Sequence, residues 1–147
     1  MELLQKIYRR RRPYRFSEPI IPVFLGRSVR VYAFIDSGCN CSVLDRHYIA
    51  AVGLSEDDVE KAPKEPVEDI GGTTYAPVFT IEVGVGNKWF KCPATIVDKH
   101  PYSELGTALI LGREKVFEEL GPITFYEFEQ GSYVFLGADG IVSPEKD

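Results

Sequence analysis

An aspartate set at the end of an apolar run, and followed at once by a hydroxyl residue and a glycine, is placed for chemistry more than for packing. The stretch FIDSGCNCSVL, residues 34–44, has this arrangement at Asp36, Ser37 and Gly38. Glycine tolerates backbone conformations that other residues resist, so the chain can turn sharply at Gly38. Ser37 can hydrogen-bond backbone groups and stiffen the turn, and Asp36 then projects from a loop with little freedom. Two such carboxylates brought face to face cannot both ionise cheaply, and they share a proton. One then acts as base toward a water and the other as acid toward the carbonyl oxygen under attack. Asp-Ser-Gly on its own is also an ordinary turn signal, so its surroundings must decide between the two readings. The chain has one Asp-Ser/Thr-Gly, and GADG at 137–140 holds an aspartate without the hydroxyl residue or the preceding strand. The second carboxylate is therefore expected from another copy, in a two-fold homodimer.

Other residue types that could carry chemistry lack a matching pattern. Cys39, Cys41 and Cys92 are soft metal ligands by type, but C-x-C falls outside the usual zinc spacings and only His47 or His100 could complete a set. They are read as core or near-surface thiols, and no metal or cofactor is expected. The two histidines have no partner motif. Gly84-Val85-Gly86 is not followed by a helix with a lysine and reads as a hairpin turn, not a phosphate loop. Trp89 and Phe90 read as hairpin packing.

The elements that must hold Asp36 are legible in outline. Residues 19–25 read as a strand with prolines near its start, and Gly26-Arg27-Ser28 as a turn. Val29 to Ile35 is β-branched and aromatic, a second strand expected to be buried on both faces. Asp45 to Val52 reads as a short helix with Tyr48, Ile49 and Val52 on one face, stopped by Gly53. Residues 55–69 carry seven acids and two prolines and read as a solvated loop. Alternation from Val78 to Val83, a turn, and Trp89 to Val97 make a second hairpin. Ala108 to Leu111 is a short buried strand ended by Gly112, and a helix with Val116, Phe117 and Leu120 on one face follows. Residues 123–128 and 132–136 close the series as a last hairpin. The expected class is mostly β with one or two short helices.

A length of 147 residues fits one domain with a real core, and 44% hydrophobic and 27% charged residues are ordinary for a globular protein. No apolar run approaches the roughly 20 residues that span a bilayer. The first 16 residues have no apolar stretch behind their positive charges and are not read as a secretory signal. An odd number of cysteines favours free thiols in a reducing compartment, and a cytoplasmic location is expected. The net charge of −5 is uneven: residues 1–16 hold Lys6, Arg9, Arg10, Arg11, Arg12 and Arg15 against Glu2, a net of +5, so the remainder carries −10. A basic arm over residues 1–18, a domain over 19–136 and a loose tail over 137–147 are expected. Arginines without interleaved aromatics, on an acidic body, argue against nucleic acid as the main partner.

Taken together, the motifs resemble the retropepsin-like aspartic proteases, the fold of retroviral proteases. VYAFIDSGCNCSVLDRHYIAAVGL is similar to that family's active-site segment, and ALILGREKVFEEL to its second signature. VEDIGGTTYAPVFTIEVGVGNKWFKCPATIVD is similar to the glycine-rich flap region and the hairpin behind it. The resemblance spans roughly residues 19–128, and it implies a two-fold homodimeric acid-protease barrel that cleaves polypeptide bound in extended form. It implies that Asp36 is catalytic, that Ser37 interlocks the two active-site loops, and that Gly38 makes the turn. It further implies a flap at Ile70, Gly71 and Gly72, a strand of Leu109, Ile110, Leu111 and Gly112 packed behind the loop, and Arg113 bracing the loop and the dimer contact. Two residues depart from the family pattern: Cys39 stands where alanine or serine is usual. Asn40 stands where some members have an aspartate, and an Asn40–Arg113 hydrogen bond is expected in its place. These departures motivate the alternative of a silent dimerisation or peptide-binding domain.

Overall fold

The computed structural model describes residues 14–16, 20–69, 72–86, 88–100, 103–121, 123–128 and 131–136. Ten strands and four short helical segments follow one another along them. The strands are β1 (Tyr14–Phe16), β2 (Ile20–Leu25), β3 (Val29–Ile35), β4 (Ser42–Asp45) and β5 (Lys64–Asp69), followed by β6 (Gly72–Val85), β7 (Lys88–Val97), β8 (Leu109–Leu111), β9 (Ile123–Phe128) and β10 (Gly131–Leu136).

Seven strands form one sheet in the order β2-β3-β8-β4-β7-β6-β5, and a two-residue pairing of β2 with β6 makes the order return on itself. Hairpins account for most neighbours: β2 pairs β3 from Ile20↔Phe34 to Leu25↔Val29, and β6 pairs β7 from Val78↔Thr95 to Val85↔Lys88. The exception positions the site. β8 comes late in the chain yet lies between β3 and β4, parallel to β3 (Ala33↔Leu109, Ile35↔Leu111) and antiparallel to β4 (Val43↔Ile110). The segment joining β3 to β4 must therefore arch over the C-terminal end of β8. A separate sheet of order β1-β10-β9 pairs Tyr14–Phe16 with Ser132–Val134. Residues 1–13 of the basic arm and the tail 137–147, GADG included, lie outside the described residues.

The core lies between the faces of the large sheet. Ile21, Val23, Leu25, Ile81, Val83, Leu109 and Leu111 are almost wholly buried there, with Leu44, Ile49 and Val116 closing it. Burial of such side chains is the main favourable term in folding.

Four local readings change. β3 is not buried on both faces throughout: Arg30 and Tyr32 are exposed, and only Ala33, Phe34 and Ile35, the residues flanked by both β2 and β8, are all buried. The segment 46–52 is a 3-10 helix, capped by the Asp45 carboxylate on the His47 N–H and ended at Gly53 with φ 80. The acidic stretch 55–69 is not a loop. It forms the α-helix Glu56–Lys61, opened by a capping box between Ser55 and Asp58, and then β5. β4 is the fourth change, a four-residue strand too short for alternation to register.

Candidate active site

Asp36 follows the last residue of β3, and its backbone N–H donates to the Leu111 carbonyl at 3.0 Å, so the end of β8 fixes where the strand stops. The chain then turns within one step. The Gly38 N–H donates to Asp36 Oδ1 at 2.9 Å and the Cys39 N–H to the Asp36 carbonyl at 3.2 Å. One carboxylate oxygen is thus held by the loop, which limits the side chain to a narrow set of rotamers. Asp36 is half-buried, while Ser37 and Gly38 are exposed at the tip. Among the described residues the exposed Ser37 side chain has no hydrogen bond.

The descending half of the loop is seated on the residues after β8. The Arg113 and Glu114 N–H groups donate to the carbonyls of Cys39 and Asn40, each at 2.9 Å. Gly112 lies beneath, and a Cβ built there would stand 2.8 Å from the carbonyl carbon and oxygen of Cys41 and 2.9 Å from the Asn40 oxygen. No side chain fits that gap without moving the loop, which gives Gly112 a steric reason to be glycine. Its own N–H donates to the Ser42 hydroxyl at 3.0 Å, and Ser42 is fully buried. Ser42 therefore satisfies the one backbone donor that the close approach would otherwise leave without a partner.

Arg113 contributes through its backbone. Its guanidinium is exposed, and among the described residues it makes neither an ion pair nor the hydrogen bond to Asn40 expected from the sequence. Both positions are instead tied by main-chain bonds, which are indifferent to side-chain identity. Cys39, Cys41 and Cys92 are free thiols. Cys41 is 8% exposed and donates weakly to the Pro93 carbonyl. Burial, then the Glu114 charge, push its thiol up to about 11. Burial likewise pushes Cys92 up to about 11.

β5 and β6 pair from Lys64↔Pro77 to Asp69↔Gly72, a ribbon that extends from the sheet on the side of the loop. Gly72 is exposed with φ 121, while Ile70 and Gly71 lie outside the described residues. Between this ribbon and the loop is a cleft of about 460 Å³, walled by Glu65 to Glu68 of β5 on one side and by Asn40, Cys41 and Glu114 on the other.

No protein-family model matches the chain, and no curated protein sequence matches it either. Solved structures do. The crystal structure of a retropepsin-like aspartic protease from Rickettsia conorii is 16% identical, covers 80% of this chain with 80% of its own, and superposes with a TM-score of 0.56. The chain has a retropepsin-like fold. The solution structure of the simian foamy virus (mac) protease is 10% identical, covers 63% of this chain and 86% of its own, and gives a TM-score of 0.42.

Within this retropepsin-like fold, Asp36, Ser37, Gly38, Ile110, Gly112 and Arg113 come together at one end of β3 and β8, with Ile110 buried in the strand behind the loop. Ser42 and Glu114 were not singled out by sequence reasoning, and Cys41 was read only as a core or near-surface thiol. A lone serine at the head of an apolar run, CSVL, is the trace that Ser42 left, because a buried hydroxyl needs a specific partner. Among the described residues no helix is long and apolar enough to cross a membrane.

Proposed function

We propose that the protein is an aspartic endopeptidase whose catalytic pair consists of Asp36 from each of two copies, with Ser37 and Gly38 shaping each loop. The observation that carries this reading is the loop itself. A half-buried aspartate is held at a strand end by a glycine N–H, on a loop seated over a glycine that admits no side chain. Such preorganisation costs folding freedom and serves a reacting group better than a turn. One chain supplies one such carboxylate, so the reaction requires a two-fold homodimer with a closed barrel-like domain on each side and the site on the axis.

In the assembled pair the two carboxyl groups share one proton. The ionised carboxylate takes a proton from a water while its oxygen bonds to the peptide carbonyl carbon, and the protonated carboxyl gives its proton to the carbonyl oxygen. In the collapse of the tetrahedral diol the protonated carboxyl gives its proton to the amide nitrogen, the other carboxylate takes a diol hydroxyl proton as the carbonyl re-forms, the C–N bond breaks, and one shared proton is restored. The substrate lies extended, and Ile70, Gly71 and Gly72 serve as the flap residues that engage it. Ile110 and Gly112 support the loop from behind, and Arg113 braces it. The chemistry needs no cofactor, and the free thiols are consistent with a cytoplasmic setting.

Mixing experiments test the shared site. Wild-type and Asp36→Asn subunits are co-refolded at varied ratios, and peptide cleavage is followed with sedimentation of the same samples. Activity falling as the square of the wild-type fraction, in samples that remain dimeric, is the expected result. A linear fall, or cleavage by a monomer, rules the dyad out.

A further inference from the structure

A line of buried hydrogen bonds ends on the backbone of Asp36. Leu111 and Gly112 share one peptide unit, which is planar and trans, so its C=O and N–H point in opposite directions. The Leu111 carbonyl accepts the Asp36 N–H at 3.0 Å, on the side of β3. The Gly112 N–H donates to Ser42 Oγ at 3.0 Å, on the side of β4. A tilt of that one plane therefore moves both partners at once. Because β8 lies between β3 and β4, the two bonds tie three neighbouring strands together at the level of the Asp36 loop.

Ser42 must donate its own proton elsewhere. A hydroxyl has one donor and two lone pairs, and Gly112 occupies a lone pair here. Ser42 is fully buried, so the remaining proton needs a partner inside the fold. β4 and β7 run parallel with Ser42 opposite Ala94, which puts Cys92, two residues earlier, on the same side of the sheet. Burial raises the Cys92 thiol, and its hydrogen bond with Ser42 lowers it, as a donor to sulfur does. The line thus runs from the Asp36 N–H to the Leu111 carbonyl, from the Gly112 N–H to Ser42 Oγ, and from the Ser42 O–H to Cys92 Sγ. All three donors point the same way, so each bond polarises the next. Cys92 is 1% exposed and has no part in the proposed reaction, yet it is where the line ends.

Resting on the peptidase reading, we propose that Ser42 and Cys92 are positioning residues for Asp36. Together they set the tilt of the peptide between Leu111 and Gly112, and through it the point where β3 stops and the Asp36 turn begins. Cys92 serves as a hydrogen-bond acceptor and not as a reactive thiol. The place of the carboxylate is read at Gly38, whose N–H holds Asp36 Oδ1 at 2.9 Å.

The test uses the full chain, isotope-labelled, and reads both peptide turnover and the amide resonances of Asp36, Gly38 and Gly112. Cys92→Ala removes the acceptor, and Cys92→Ser supplies another. Ser42→Ala and Ser42→Thr make the same comparison one step along the line. Ile81→Val, opposite Cys92 on β6, perturbs the core without touching the line. Both alanine variants should shift all three resonances and lower kcat about ten-fold with KM held, because small misplacements of a reacting group are costly. Cys92→Ser and Ser42→Thr should recover most of both. Ile81→Val should lower the melting temperature and leave resonances and turnover in place. Should Ser42→Ala fail to fold, the Cys92 pair decides. Unmoved Asp36 and Gly38 resonances in Cys92→Ala, no recovery in Cys92→Ser, or the same shifts in Ile81→Val overturn the proposal. Asp36-dependent cutting that is indifferent to Cys92→Ala removes the positioning role and leaves the peptidase. Resonances that move and recover as expected, in a chain that cuts nothing, remove the peptidase and leave the line that places Asp36.

Discussion

At the scale of single residues, the proposed reaction depends on Asp36, and the shape of the loop on Gly112 and Ser42. Asp36→Asn keeps the hydrogen bond from Gly38 and removes the ionisable group. Turnover should fall by at least about 10²–10⁴-fold, the range for a lost acid–base group, with the melting temperature unchanged. Gly112→Ala does the reverse. Its Cβ would sit 2.8 Å from the Cys41 backbone, so the loop must shift, at a cost of about 1–3 kcal/mol. Both stability by denaturant titration and peptide turnover should drop. Ser42→Ala leaves the buried Gly112 N–H without an acceptor and should cost about 1–3 kcal/mol. The thiols give a pH signature. Cys41 and Cys92 ionise near 9.0 when unfolded but only near about 11 when folded, so the unfolded chain releases protons first. Stability is full below 9.0 and declines as pH rises toward about 11. Denaturation midpoints across that window should show the decline, and Cys92→Ala should flatten it.

At the scale of elements, how far the sequence could be read followed how each strand is buried. β2, β3 and β7 were legible because their apolar residues face a core. β4 was not, since four residues cannot establish a period. The first half of β6, with Thr73, Thr74 and Tyr75 exposed, pairs only with β5 and has no core to imprint a pattern. β5 was hidden by Pro66 and its acids, which an edge strand accommodates and a central strand does not. The helix Glu56–Lys61 was concealed by the same acids, although Ser55 and Asp58 spell a capping box. Of the site, the Asp36 turn, the β8 signature and, through the resemblance, their packing were visible, while the hydrogen bond from Gly112 to Ser42 was not, because 70 residues separate the two. The capping box is testable: Ser55→Ala should cost about 1 kcal/mol. Arg46 ties that helix to the body through Glu56 at 2.7 Å and Glu60 at 2.5 Å, so Arg46→Ala should loosen it further. Amide exchange over Glu56–Lys61 reports both.

At the scale of the whole molecule, the first and the last described strands pair in the sheet β1-β10-β9. Removing residues 1–13 leaves that sheet whole, whereas removing residues 1–16 strips β1 and bares one side of β10. The shorter truncation serves as the control. The longer one should melt earlier and self-associate, because an uncovered strand edge invites pairing. Finally, the wedge formed by β8 between β3 and β4 bears on how the protein wears out. The deepest strand is also the one the Asp36 loop sits on, so its amides should be among the last to exchange with solvent. On heating, the proposed peptidase activity and tertiary structure should disappear at the same temperature, for the Asp36 loop has no private route to disorder.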